Sequence, residues 1–115
     1  KQYAAVDGGM TDNPRYALYQ SRYTVYHGSK TGPTERFDVV GRCCESGDII
    51  QPHVELPADT CRGDILAVCT TGAYNYSMAS NYNRLPRPPI VMLTPEGSYT
   101  AVRRETFADL TALDE

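Results

Sequence analysis

The sequence has no tryptophan and only two phenylalanines in 115 residues. It has no C-x-x-C pair, no stripe of basic charge and no long apolar run. Each absence removes a class of function. A zinc ribbon needs paired, closely spaced cysteines. Here the cysteines stand at 43, 44, 61 and 69, and His27 and His53 do not complete such a pattern. No metal site is expected. A membrane span needs about 18 consecutive apolar residues, which the chain lacks, and no signal peptide opens it. The formal net charge of -3, with scattered arginines, argues against a nucleic-acid partner. A bridge between neighbouring Cys43 and Cys44 would strain the peptide between them. A secreted disulfide framework still allows three pairings of four cysteines, but reduced thiols in a cytoplasmic protein fit better.

Tyrosine, by contrast, is abundant. Nine tyrosines suit half-buried faces and polar pockets, where an apolar ring carries a hydroxyl at its edge. Hydrophobic residues at 41% and charged residues at 22% describe an ordinary globular chain, long enough for one domain. The opening "KQYAAVDGGM" is a short apolar stretch running into a glycine turn, without an initial methionine. The chain is accordingly read as a piece of a longer protein.

Strand-like segments dominate: "RYTVYHG", "ERFDVVG", "GDIIQPHVEL", "GDILAVCTT", "PPIVMLT" and "SYTAVRRE". Turn chemistry separates them, and "TPEGS" reads as a hairpin between the last two. This spacing predicts a mainly β domain, a Greek-key-like barrel or sandwich with short helices. Three helices are expected, in "DNPRYALYQS", "AYNYSMASN" and "RETFADLTALDE". Asn13 is the expected N-cap of the first, with Pro14 at its first position. Thr106 leads the third.

Chemistry concentrates in three places. In "GRCCESGD", residues 41–48, Cys44, Glu45 and Asp48 share a glycine-containing loop. Nearby carboxylates raise a thiol's pKa, which makes a poor resting nucleophile but a serviceable proton donor. The competing reading is that Cys43 and Cys44 are small packing residues. Strand alternation turns one of the two inward and the other to the loop's open face. Arg15 and Tyr19 fall four apart on one helical face, a grip for a carboxylate or simply a stacked surface pair. "GAYNYSMASNYN" places Tyr74, Tyr76 and Tyr82 near a helix start where an anion could sit.

Four motifs, "VDGGMTDNPRYALY", "CCESGDII", "TGAYNYSMASNYNRLPRP" and "VRRETFADL", stand in an order and spacing that resemble one family. It is the diaminopimelate decarboxylase family, pyridoxal-phosphate enzymes of the alanine-racemase-like class, and the likeness is to its C-terminal domain. It runs over nearly all of the chain and is weakest over residues 23–40. The resemblance implies a parent with an N-terminal (β/α)8 barrel, absent from this chain, that holds pyridoxal 5'-phosphate on a lysine. Lys1 and Lys30, the lysines present here, match no such position. It implies a homodimer in which the partner subunit completes each site between barrel and β-domain. It also implies roles: Arg15 and Tyr19 bind substrate, and Cys44 gives the proton. Glu45 receives the substrate's distal amino-acid end, Tyr74 reaches cofactor and substrate, and Asp48 shapes the loop. Tyr16 departs from the family, which often has proline there. Relatives acting on ornithine, arginine or carboxynorspermidine share the fold. Diamine-forming ones carry aspartate after the cysteine, so Glu45 favours diaminopimelate. A purely structural or dimerisation module is the alternative of another class.

Overall fold

The computed structural model describes all of residues 1–115. The chain forms two compact units, Lys1–Ala79 and Ser80–Glu115.

The first unit holds β1 (Gln2–Ala5), α1 (Arg15–Tyr19), β2 (Val25–His27), β3 (Thr34–Val40), β4 (Ile49–Pro57), β5 (Leu66–Val68) and α2 (Asn75–Met78). β3 is central, with β1 parallel on one side and β4 antiparallel on the other. β2 and β5 form a separate antiparallel pair. The buried core comprises Val25, Phe37, Val39, Ile50, Val54 and Leu56, with Ala4, Val6, Leu66 and Val68 packed against it. β-branched and aromatic side chains fill a pleated, half-buried surface well, which is why these segments settle as strands. The apolar lead "YAAV" was not among the expected strands. It becomes β1 because Val6 N–H extends the pairing onto Val40 O at 3.0 Å.

The mainly β class with short helices is borne out, but the sheets stay open. They have three, two and two strands, and none closes into a barrel. The β3–β4 pairing shows one reason. Its register slips between Phe37 and Val39 and again before Val40. Pro52 has no N–H to give the ladder, and His53 takes a left-handed φ of 58°. The N–H that this bulge frees on His53 donates to buried Asp38 Oδ1 at 2.9 Å. Lys1 Nζ, 2.8 Å from the other oxygen, together with that N–H keeps the Asp38 carboxyl below its ordinary range.

The first helix starts one residue later than expected. Pro14 occupies the cap position and Arg15 opens α1. Asn13 still contributes, since its side-chain oxygen accepts the Arg15 N–H at 3.3 Å. Gln20 closes the helix in a left-handed conformation, its N–H on Tyr16 O at 2.9 Å.

The second unit holds β6 (Ile90–Thr94), β7 (Gly97–Val102), α3 (Phe107–Leu110) and a 3₁₀ turn at Tyr82–Arg84 that was not expected. The "TPEGS" hairpin is present, with Gly97 at φ 139°, a value that favours glycine. Thr106 caps α3 as expected, and Asp109 completes a reciprocal capping box. Glu105 is the polar hub of this unit. It accepts the Asn81 amide at 2.6 Å, the Arg87 N–H at 2.8 Å and the Arg87 Nε at 2.7 Å. These bonds, Arg87's guanidinium foremost, lower its carboxyl from 4.5 to about 2. A depressed folded value stabilises the unit above the unfolded pKa, and that stability is lost as pH falls through the folded one. Glu105→Gln should therefore flatten the decline of Tm between about pH 4.5 and 2. An acid limb as steep as that of the parent would show that the Arg87 contact contributes nothing.

Candidate functional site

The loop joining β3 to β4 is built around one buried carboxylate. Asp48 is 4% exposed and accepts the Met10 N–H at 2.6 Å and the Cys43 N–H at 2.7 Å, one on each oxygen. Backbone bonds tighten the same ring: Gly41 N to Asp48 O at 3.0 Å, Arg42 N to Gly8 O at 3.2 Å, and Asp48 N to Glu45 O at 3.1 Å. Gly9 and Gly41 permit this closeness. A Cβ on Gly9 would meet Asp48 Oδ2 at 2.9 Å and Cys43 Sγ at 3.3 Å. The loop-shaping part expected of Asp48 is what its hydrogen bonds do.

The two adjacent cysteines differ in burial as expected, although they lie on a bend and not in a strand. Cys43 is half-buried, whereas Cys44 and Glu45 are exposed. The raised thiol is Cys43: burial pushes it up first, and the Asp48 carboxylate adds to that. Glu45 Oε1 accepts the Gly47 N–H at 3.3 Å, which steadies its carboxylate above the turn. No disulfide joins the four cysteines.

A second cluster gathers Arg15, Tyr19 and Tyr74. The Arg15 guanidinium lies 5.4 Å from the Tyr19 ring centre and 5.3 Å from that of Tyr74, within cation–π range of both. Its Nη1 also lies 3.8 Å from Met78 Sδ on α2, a contact the sequence did not suggest. No carboxylate pairs with Arg15, so its charge remains available for a ligand. A cavity of about 330 Å³ opens beside it, lined by Arg15, Arg22, Thr24, Thr70 and Tyr74 among others. The loop that closes this cavity is strained. Thr70 and Tyr74 take φ values of 59° and 73°, unfavourable for a β-branched and a bulky residue. Strain of this kind persists only where the surrounding structure holds it in place. No sequence pattern announces it, because tyrosine and threonine are ordinary strand residues. The helix expected after Gly72 is α2, whose four residues give it only a small dipole. Tyr76 and Tyr82 are both exposed. No group of histidine, cysteine and carboxylate side chains is arranged to hold a metal ion.

Comparison with known proteins gives this arrangement a family. Residues 1–72 match the family described as pyridoxal-dependent decarboxylase, C-terminal sheet domain. The chain belongs to that family. Over 99% of its length it is 47% identical to the diaminopimelate decarboxylase of Bacillus subtilis (strain 168), covering 26% of that protein. It is 51% identical to the diaminopimelate decarboxylase of Actinosynnema pretiosum subsp. auranticum over 94% of the chain and 25% of the relative. Among solved structures, the diaminopimelate decarboxylase of M. jannaschii in co-complex with L-lysine superposes with a TM-score of 0.93 at 35% identity. That match covers 98% of this chain and 26% of the other. The chain thus spans about a quarter of the length of these relatives. As a family member it has the expected C-terminal sheet fold, and the open sheets described above are the form this fold takes here.

Proposed function

We propose that this chain is the substrate-reading C-terminal domain of a diaminopimelate decarboxylase. The whole protein would convert meso-2,6-diaminopimelate to L-lysine and carbon dioxide with pyridoxal 5'-phosphate, in the cytoplasm and as a homodimer. The observation that carries the reading is the exposed Cys44–Glu45 pair, presented on a loop locked to buried Asp48, in a chain whose relatives bear that name.

The residues present fit one edge of such a cofactor and not its anchor. Tyr74 is 67% exposed beside Arg15, so its ring and hydroxyl can meet an aromatic, anionic group. Neither lysine is placed to carry it. Lys1 is taken by Asp38, and Lys30 by Asp59, Cys61 and Asp64. The cofactor lysine then belongs to a barrel domain outside this chain. When bound, pyridoxal phosphate supplies an electron sink for the charge left as carbon dioxide departs. The remaining steps fall to this domain. Arg15 and Tyr19 hold a substrate carboxylate through a charged fork and a hydroxyl. Glu45 receives the distal amino-acid end, where its carboxylate can pair with an ammonium. Cys44 returns a proton to the carbon that lost carbon dioxide.

The test uses the full-length protein with meso-diaminopimelate, ornithine and arginine offered in turn. Lysine and carbon dioxide from diaminopimelate alone is the expected result, and a preference for either other substrate would overturn the assignment. In the same assay Glu45→Ala removes a charge-assisted contact worth about 1.5–3 kcal/mol. KM for diaminopimelate should then rise roughly ten- to hundredfold. An unchanged KM would remove Glu45 from the site.

A further inference from the structure

Away from the Arg15 and Cys44 groups, two side chains and one backbone N–H converge on one carboxylate. Asp64 Oδ2 is 2.7 Å from Lys30 Nζ and 3.1 Å from His27 Nε2, and it accepts the Cys61 N–H at 2.8 Å. Lys30 has three ammonium protons and three acceptors within reach. Two are Asp64 Oδ2 and Asp59 O, the latter at 2.8 Å, and the third is Cys61 Sγ at 3.2 Å. His27 fixes the other end of the lysine, its Nδ1 accepting the Lys30 backbone N–H at 2.8 Å. The ammonium thereby bridges the Asp64 carboxylate and the Cys61 sulfur. An amine and a thiol are thus held in contact, both pinned through Asp64, with Cys61 exposed to small solutes.

We propose that Lys30 and Cys61 are an oxidation-dependent cross-linking pair, joined by a covalent sulfur–nitrogen bond after a hydroperoxide oxidises Cys61. In the first step the thiol sulfur attacks one peroxide oxygen. A sulfur–oxygen bond forms, the oxygen–oxygen bond breaks, sulfur loses two electrons, and the alcohol or water that leaves takes the thiol proton. Sulfenic acids condense with nearby nitrogen nucleophiles. In the second step the Lys30 nitrogen bonds to sulfur, the sulfur–oxygen bond breaks, water departs and one ammonium proton passes to solvent. Asp64 first and Cys61 second make that ammonium hold its proton more firmly than an ordinary lysine, so condensation is the slow step. What favours it is proximity, because the partners already touch and neither must be found by diffusion. The bond would staple the loop after β2 to the loop after β4, and a thiol reductant would reverse it by attack at sulfur.

This inference is independent of the decarboxylase reading. The full-length protein is treated with a small excess of hydrogen peroxide, digested without reductant and mapped by mass. The expected product is a linked pair of peptides carrying Lys30 and Cys61, lighter than their sum by two hydrogens and absent after dithiothreitol. Its yield should exceed that from urea-unfolded protein by at least about tenfold, the mark of a folded-state proximity effect. Lys30→Arg keeps a cation on Asp64 but offers no amine, and it should give oxygenated Cys61 without the link. A matching Tm before oxidation shows that this variant is folded. Cys61 oxygenated but unlinked in the native protein, or linked equally in urea, would overturn the proposal.

Discussion

Replacing Cys44 by alanine in the full-length protein should lower kcat by about 10²–10⁴-fold, the usual worth of a general acid, and leave KM nearly unchanged. The asymmetry follows from where a proton donor acts. It is needed as the new carbon–hydrogen bond forms and contributes little to holding the substrate beforehand. Cys43→Ala is the internal control. Its thiol keeps its proton as firmly as a donor would require, because burial raises it, but the same burial hides it. Exposure separates the two, since Cys44 is exposed and Cys43 is half-buried. Cys43→Ala should therefore keep near-normal turnover and lose some thermal stability. Steady-state kinetics on both variants settles the register of the loop. A crippled Cys43→Ala beside a near-normal Cys44→Ala would exchange the two faces.

How far the sequence could be read depended on whether a feature is local. The strands over "ERFDVV" and "GDIIQPHVEL", the "TPEGS" turn and the Thr106 cap are decided within a few residues, and each appears where expected. β1 was missed because its pairing is long-range. Nothing in "QYAA" points to residues 37–40, which supply the parallel partner. Sheet closure was likewise beyond reach, since the slip at Asp38 depends on a bulge at Pro52 and His53 in the opposite strand. In the candidate site, the spacing of Arg15 and Tyr19 was legible and the adjacency of Tyr74 was not. That contact joins α1 to a loop more than fifty positions later and rests on a backbone twist that tyrosine does not advertise. That one of the adjacent cysteines is more buried than the other was expected, but which of them it is came only from the family resemblance. The cluster on Asp64 left no trace in the sequence, because its members come from the end of β2 with the loop after it and from the loop after β4.

The largest loss of stability is expected from Gly41→Ala, a change of one methyl group. Its Cβ would lie 2.2 Å from Asp48 Oδ2 and 2.4 Å from Oδ1, far inside any real carbon–oxygen contact. The carboxylate must move, and it then surrenders the Met10 and Cys43 N–H groups it now accepts. A buried donor left without a partner costs about 1–3 kcal/mol, so two cost roughly 2–6 kcal/mol. Asp48→Ala should cost a similar amount by a different route, leaving room but removing the acceptor. If both variants act through the same two hydrogen bonds, their effects cannot add. With Asp48 already alanine, the clash at residue 41 has nothing to displace, and the double variant should unfold in urea close to Asp48→Ala alone. Fully additive losses would mean that Gly41 is required for some other reason. The same coupling should reach turnover, since the bonds that hold Asp48 also hold the loop that presents Cys44 and Glu45. Each single variant should lose kcat, and the double variant should lose no more than the worse of them.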